Sequence, residues 1–188
     1  EIIRYCLSEK LIYESRDYRN AVFVGRKGSK PKYAMLRGTW EQATKPFKGE
    51  VTGSDKRYSF SITPKKQSNK LIVTESAIDL LSVATLKDSW QDYHYLSAGG
   101  IYAPKKENIT AKMPKSLEQY LSDHNEINHV ELNLDNDSTG RGASLFITKK
   151  LMERGYFVKD NPPKMVKDYN EYLIKTKSIN RNIYNINR

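Results

Sequence analysis

Cysteine is nearly absent from this sequence of 188 residues, and long apolar runs are missing. The single cysteine, Cys6, cannot form an internal disulfide or supply a zinc site built on several thiolates. The longest apolar runs, such as residues 21–24 and 71–73, are far too short to cross a membrane. No charged-then-apolar signal segment opens the chain. We therefore expect a cytoplasmic protein. Because the first residue is Glu1 rather than Met, we also expect a fragment of a longer protein.

Acidic residues are scarce in the first third of the chain. Residues 1–66 hold fifteen Lys and Arg against seven Asp and Glu, whereas residues 67–188 hold seventeen against fifteen. Such a segmental excess favours binding of a polyanion, most simply DNA, with an affinity that falls as salt rises. The alternative is that lysine only keeps the protein soluble.

Aromatic residues are interleaved with this basic stretch. Residues 26–57 contain nine Lys and Arg, including Lys48. Four aromatic residues lie between or next to these basic residues: Tyr33, Trp40, Phe47 and Tyr58. The mixture suits phosphate contact combined with base stacking, although some of these rings must fill a small core. We predict nucleic-acid contact by Arg26, Lys27, Lys32, Arg37, Lys56 and Arg57.

The first segment, residues 1–66, has the pattern of strands and turns. Residues 21–25 are rich in β-formers, and residues 28–31 predict a hairpin turn into a second strand at 33–37. Residues 57–62 alternate like a half-buried strand, and a short helix is expected within residues 1–18. The polar run 64–69 marks the seam. We expect a small basic α+β or β-rich domain here.

The second segment, residues 67–188, alternates strands with helices. Strands are predicted at 70–74, 93–97, 129–134 and 156–158, and helices at 77–86, 139–154 and from Asp168 onward. Residues 101–128 form an excursion with a short helix near 116–122, and we expect the tail, residues 175–188, to be partly disordered. This alternation indicates an α/β fold with a largely parallel sheet covered by helices.

Acidic residues follow the predicted strands. Glu75 comes directly after the first strand, Asp135 and Asp137 come after the third, and Asp168 follows the fourth at a short distance. Asp79 lies one helical turn beyond Glu75. Ligands of such sheets bind beyond the carboxyl ends of the strands. Carboxylates converging there would repel one another unless Mg²⁺ or Mn²⁺ neutralised them. The chemistry that uses such a site is phosphoryl transfer.

The string at residues 135–143 admits other interpretations. A calcium loop of the EF-hand type also has Asp, Asp and Gly at its first, third and sixth positions, but its twelfth position, a Glu, is Phe146 here. A haloacid-dehalogenase-like phosphatase also uses Asp-x-Asp-x-Thr and could find its lysine in Lys164 or Lys167, but no later acidic pair follows. A turn that caps the helix explains one acid, but not Glu75 and Asp168 at equivalent strand ends.

Three motifs together resemble the Toprim family, which is shared by bacterial primases, topoisomerases and some nucleases. Residues 73–82 resemble its first motif, including the acid at Asp79, and residues 134–143 resemble its Asp-x-Asp motif. Residues 167–173 resemble the Lys-Asp-x-Asn-Glu ending typical of primase-type members. The resemblance covers about residues 69–175. Residues 37–39 and 53–60 look like the small uncharacterised domain that precedes Toprim in plasmid and transposon proteins.

The resemblance implies roles for individual residues. Glu75 would be a general acid/base or a metal ligand, and Asp135 and Asp137 would hold Mg²⁺. Asp79 and Asp168 would assist. Two basic residues would offset phosphate charge, namely Lys167 and Arg141.

The resemblance also implies a function and several partners. We expect a Mg²⁺-dependent domain that acts on DNA and nucleotides, a primase fragment from a mobile element. A nuclease and a non-catalytic DNA-binding accessory module are the alternatives. The chain has no room for the tyrosine-bearing domain of the topoisomerases. It also has no zinc-binding module and no larger basic subdomain of the kind that primases usually carry, so a missing zinc-binding or helicase region is expected.

Overall fold

The first sheet is built from the basic segment. In this computed structural model, which describes residues 1–40, 42, 44–101 and 112–186, a short helix is followed by four antiparallel strands in the order β1-β2-β3-β4. The predicted hairpin turn is confirmed, with Gly28 at φ +57° between β2 and β3. The elements are α1 (Ile2–Ser8), β1 (Ile12–Glu14), β2 (Ala21–Lys27), β3 (Lys30–Arg37) and β4 (Lys48–Glu50).

The stretch predicted as one strand at 57–62 divides into two elements. Asp55 accepts a hydrogen bond from the backbone N–H of Arg57 and starts a 3₁₀ turn, Lys56–Tyr58. Only β5 (Ser61–Ile62) is extended, and it joins the second sheet antiparallel to its neighbour. The prediction was wrong for residues 57–60 because the side-chain cap turns the backbone before the alternation can form a strand.

The second sheet has five strands in the order β5-β7-β6-β8-β9, and four of them are parallel. The α/β alternation of the sequence is therefore confirmed. The strands are β6 (Lys70–Thr74), β7 (His94–Ser97), β8 (His129–Asn133) and β9 (Phe157–Asp160), and the helices are α2 (Ala77–Leu86), α3 (Lys115–Asp123), α4 (Ser138–Glu153) and α5 (Tyr169–Ile186), with a further 3₁₀ turn at Trp90–Asp92.

Two predicted irregular regions contain helix. The excursion carries α3, close to its predicted position, while residues 102–111 of that excursion lie outside the described residues. Helix α5 runs through most of the tail that was expected to be partly disordered, and residues 187–188 are not described. In the described ranges, none of the helices combines the length and the apolar character that a bilayer span requires.

The parallel register aligns the carboxyl ends of the central strands. Thr74, the last residue of β6, is paired with Ser97 of β7 and with Asn133 of β8. Leu132 of β8 is paired with Asp160, the last residue of β9. Loops that leave these strands therefore begin side by side at one edge of the sheet.

Both segments share one hydrophobic core. Ile72 of β6 lies on the sheet face that packs with Phe23, Phe60 and Leu80, so side chains of the first segment continue the core of the second. Phe23 and Phe60 meet edge to face at a centroid distance of 5.4 Å. The neighbours of Ile72 in β6 point to the opposite face, as the strand period requires, and pack under α3 and α4.

Gly25 of β2 lies directly against the 3₁₀ turn, and this contact yields a stability prediction. A Cβ at this position would lie 1.7 Å from the carbonyl oxygen of Tyr58. Gly25→Ala should therefore lower the free energy of unfolding by about 1–3 kcal/mol, the usual cost of overpacking. Urea unfolding of the wild type and of Gly25→Ala measures this change in the free energy of unfolding. The control Ser29→Ala, in the exposed hairpin turn, should change the value by less than about 0.5 kcal/mol.

Candidate metal centre

Two acids enter the site from β6 and the start of α2. Glu75 follows the last residue of β6 and is half-buried. Ser76 caps α2 by accepting a hydrogen bond from the N–H of Asp79, and its hydroxyl donates to the Asp79 carboxylate at 2.5 Å. This reciprocal cap fixes the carboxylate of Asp79, which is only 7% exposed, on the side of the helix that faces the sheet edge.

Two more acids lie in the loop between β8 and α4. Asp137 caps α4, since its carboxylate accepts the N–H of Gly140 at 2.9 Å. Gly140 packs so closely under the loop that a Cβ there would lie 2.1 Å from the carbonyl oxygen of Asp135. A glycine at this position lets the first turn of α4 hold Asp135 at the strand end.

The Lys167–Asp168 segment closes the site from the α5 side. The carbonyl of Lys167 accepts the N–H of Asn136 at 2.7 Å, and the Lys167 ammonium lies 3.5 Å from the Asp137 carboxylate. Asp168 accepts the N–H of Glu171 at 2.8 Å in the first turn of α5. The next turn residue, Asn170, donates its N–H to Asp79 at 3.3 Å. The structure thus brings all five predicted acids and Lys167 to one edge of the sheet.

The clustered charges shift the ionisation of the acids in opposite directions. Burial, followed by the charges of Glu75, Asp79 and the other two acids, raises the pKa of Asp135 to about 7. Burial and the charges of Asp137 and Asp79 raise the pKa of Glu75. By contrast, the N–H of Gly140 and the nearby Lys167 lower the pKa of Asp137. The centre is therefore short of positive charge around Glu75 and Asp135.

This arrangement fits a divalent cation. Among the described residues, none donates a hydrogen bond to the carboxylates of Glu75 or Asp135, although both are partly buried. Half-buried carboxylates without donors are costly unless a cation compensates them. The candidate metal ligands are all carboxylate oxygens, which suits Mg²⁺ or Mn²⁺ rather than zinc.

The first sheet contributes a basic face that the sequence analysis did not assign to this centre. Lys48 of β4 and Glu75 line a cavity of about 260 Å³, and the charge of Lys48 acts to lower the pKa of Glu75. Arg37 of β3 is paired directly with Lys48, so both side chains lie on the same face of the sheet. Tyr33, on the same face, donates to Glu50. The β3–β4 pairing that places Lys48 here has no local signature in the sequence.

Three other predicted contact residues gather around Tyr58, away from the acids. Arg26 donates to two backbone carbonyls at the end of α1, each at 3.0 Å. Arg57 pairs with Asp55 at 2.7 Å, and both Arg57 and Lys27 lie over the Tyr58 ring. Lys27 is exposed, so this group forms a second basic surface, in which Arg26 and Arg57 each already bind a protein group.

The remaining predicted contact residues have partners other than the five carboxylates or lie exposed, although Arg141 Nε donates to the backbone carbonyl of Asp135 at 3.3 Å. Lys56 pairs with Glu50 at 3.1 Å, and Lys32 is exposed on β3. Arg141 donates to Asp160 at 2.7 Å and to the backbone carbonyl of Leu134 at 3.2 Å. These bonds tie α4 to the ends of β8 and β9, so the guanidinium of Arg141 has a structural role.

Two family models match successive parts of the chain. A model described as Toprim-like matches residues 72–173, just over half of the chain and the whole of the acidic centre. The chain belongs to the Toprim-like family. A second model, described as a protein of unknown function (DUF3991), matches residues 1–67. The resemblance read from the three motifs is thereby confirmed, and the first segment matches a model of its own.

Solved structures of primases share the Toprim-like fold of this chain. The primase fragment of the bacteriophage T7 primase-helicase protein is 18% identical, with a TM-score of 0.59 over 92% of this chain and 66% of that chain. A chain from the structure of the bacteriophage T7 lagging-strand DNA polymerase with primase domains is 18% identical. Its TM-score is 0.56, over 93% of this chain and 81% of that chain. The RNA polymerase domain of Mycobacterium tuberculosis primase is 12% identical, with a TM-score of 0.51 over 93% and 56%.

The Toprim-like chain is shorter than each of these neighbours. It spans 66% of the T7 primase fragment and 56% of the mycobacterial domain. No curated protein matches its sequence.

Removing one charge from the centre should stabilise the metal-free protein. Asp135→Asn should unfold at a higher temperature than the wild type at pH 8 in EDTA, because Asp135 is repelled by Glu75 and Asp79. Adding Mg²⁺ should raise the midpoint of the wild type more than that of the variant. The matched control, Asp88→Asn, removes an exposed carboxylate after α2 and should change neither value. Equal midpoints for Asp135→Asn and the wild type in EDTA would contradict the repulsion.

Proposed function

We propose that this Toprim-like chain is a Mg²⁺-dependent phosphoryl-transfer domain that acts on DNA and synthesises primers. The observation that carries the proposal is the convergence of five carboxylates at one sheet edge, two of them without a hydrogen-bond donor among the described residues, facing the basic side of the first sheet. Asp79, Asp135, Asp137 and Asp168 would hold the ion, which would supply positive charge for a phosphate and activate a hydroxyl.

The protein's own groups divide the remaining work. Lys48 and Arg37 lie on the sheet face beside Glu75 and would bind phosphate oxygens as they approach the acids. Lys167, which is exposed and lies beside Asp137, would bind phosphate from the opposite side. Glu75 would accept a proton from the attacking hydroxyl, because its carboxylate lies in the cavity and has no donor among the described residues.

The structural neighbours support nucleic acid and nucleotide as the ligands. The T7 primase domains are described bound to an RNA/DNA hybrid and dTTP, and the mycobacterial domain is described in complex with a double-stranded DNA with a 6-nucleotide overhang. The predicted origin in a mobile element remains part of the proposal, and it rests on the resemblance of the first segment to domains of plasmid and transposon proteins.

A denaturing gel tests the reaction. The chain is incubated with single-stranded DNA, labelled nucleotides and Mg²⁺ or Mn²⁺, beside Asp135→Asn and the charge-matched control Asp88→Asn. Short labelled products are expected from the wild type and the control. The amount of labelled product from Asp135→Asn should fall by at least about 100-fold. Even residues that only support a metal's ligands contribute about 10–100-fold to activity.

Two other outcomes overturn primer synthesis. Shortened template that depends on Asp135 would make the centre a nuclease. Unchanged template and no product, with DNA binding that survives Asp135→Asn combined with Asp137→Asn, would make the chain an accessory binding module. The second outcome would also remove the phosphoryl-transfer role.

The salt dependence of DNA binding tests the basic face. Lys48→Gln should weaken single-stranded DNA binding and reduce the slope of log K against log salt by about 0.7, the loss of one phosphate contact. Fluorescence anisotropy at several salt concentrations measures both quantities. Lys149→Gln removes the same charge from an exposed position of α4 and should leave the slope unchanged. An unchanged slope for Lys48→Gln would place the DNA elsewhere.

A further inference from the structure

A second group of metal-ligating side chains lies at the opposite edge of the parallel sheet. His94 begins β7, His124 directly follows α3 as its C-cap, and Glu126 lies in the turn before β8. The acids of the Toprim-like centre follow the carboxyl ends of the strands, whereas His94 lies at an amino end, about 10 Å away along a strand of four residues. The two groups are therefore separate.

The distances within this group suit a tetrahedral ion. The Glu126 Oε1 atom lies 3.1 Å from His124 Nδ1 and 3.6 Å from His94 Nε2, and the candidate ligand atoms of all three residues lie within 4.8 Å of one another. Ligands bound to Zn²⁺ at about 2.0–2.1 Å in a tetrahedron lie about 3.3 Å apart. Small side-chain rotations thus bring the three atoms into a zinc coordination sphere.

The surroundings of His94 prepare it as a ligand. Its Nδ1 lies 3.0 Å from the hydroxyl of Tyr120, which can accept a hydrogen bond from Nδ1–H and so leave the Nε2 lone pair for a metal. Nε2 otherwise donates to the carbonyl of Ser68 at 3.1 Å, so metal binding exchanges one tautomer for the other. Burial, followed by the neighbouring His124, lowers the pKa of His94. Neutral imidazole is the form that binds metal.

We propose that His94, His124 and Glu126 form a zinc site, with water as the fourth ligand. Two imidazoles and one carboxylate are a donor set that zinc uses, and imidazole distinguishes it from the oxygen-only Mg²⁺ centre. His124 and Glu126 are 24% and 35% exposed at their side chains, so an ion and its water reach the site from the surface, whereas His94 forms the buried wall at 2%.

The site joins elements that connect the two segments of the chain. It links the end of α3 to the start of β7, and α3 packs against the 3₁₀ turn at Lys56–Tyr58. Tyr120, which orients His94, also lies 3.4 Å from the hydroxyl of Thr63 next to β5. Zinc bound here would stabilise the folded arrangement of α3 and the first segment, by an amount that rises with the logarithm of the zinc concentration relative to the dissociation constant.

Zinc binding to the full chain tests the proposal. Zn²⁺ is titrated against a chromophoric chelator in excess Mg²⁺, which occupies the acidic centre. One equivalent is expected to bind tightly, and the unfolding midpoint should rise with it. Co²⁺ in place of Zn²⁺ should give the visible absorption of a tetrahedral site with nitrogen and oxygen ligands.

Variants at the surface ligands avoid disturbing the buried histidine. His124→Ala and Glu126→Gln should abolish the tight equivalent, and Tyr120→Phe should weaken it by about 10–100-fold, as outer-shell changes do. Two control variants should still bind one equivalent of zinc tightly. One is His129→Ala, which removes an exposed histidine outside the group, and the other is Asp135→Asn combined with Asp137→Asn. The proposed site would be overturned if the wild type bound no zinc tightly. It would also be overturned if only the Asp135→Asn, Asp137→Asn variant lost tight zinc binding.

Discussion

Mutual repulsion among carboxylates is the constraint on which the site depends. Three of the acids are held by helix starts: Asp137 and Asp168 accept backbone N–H groups in the first turns of α4 and α5, and Asp79 belongs to the cap of α2. Helix N-termini carry partial positive charge, which favours anions there, and the Ser76 hydroxyl and the Lys167 ammonium add to it at Asp79 and Asp137. Glu75 and Asp135 lack such donors among the described residues, and they set the demand for a cation.

The first segment completes the centre through packing and not through sequence proximity. Phe23 and Phe60 continue the core of the second sheet, and this fixes β3 and β4 beside the acidic edge. Lys48 then lies close enough to act on Glu75. A basic segment attached only by a flexible linker could attract DNA, but it could not place one ammonium group at a defined position relative to five carboxylates.

The sequence predicted the parts of the structure that depend on local pattern. Apolar strands, helical periodicity and acids after strand ends were enough to predict the parallel sheet and to bring Glu75, Asp135 and Asp168 together. The missed strands, β1 and β4, have three residues each, which is too few to show an alternation, and β5 keeps only two residues of a longer predicted strand. Lys48 and the His94–His124–Glu126 group depend on long-range packing, which no local pattern encodes.

Strand β5 gives the second sheet a protected border. It covers the outer side of β7, and the backbone N–H of Ser97 is donated to the carbonyl of Phe60 just before it. A chain cut at the seam would leave β7 as a bare edge with unsatisfied backbone groups, beside the core surface from which Phe60 and Ile62 had been removed. Such an edge invites pairing with other chains. The first segment therefore protects an edge of the second sheet against pairing with other chains, even though separate family models match the two parts of the chain.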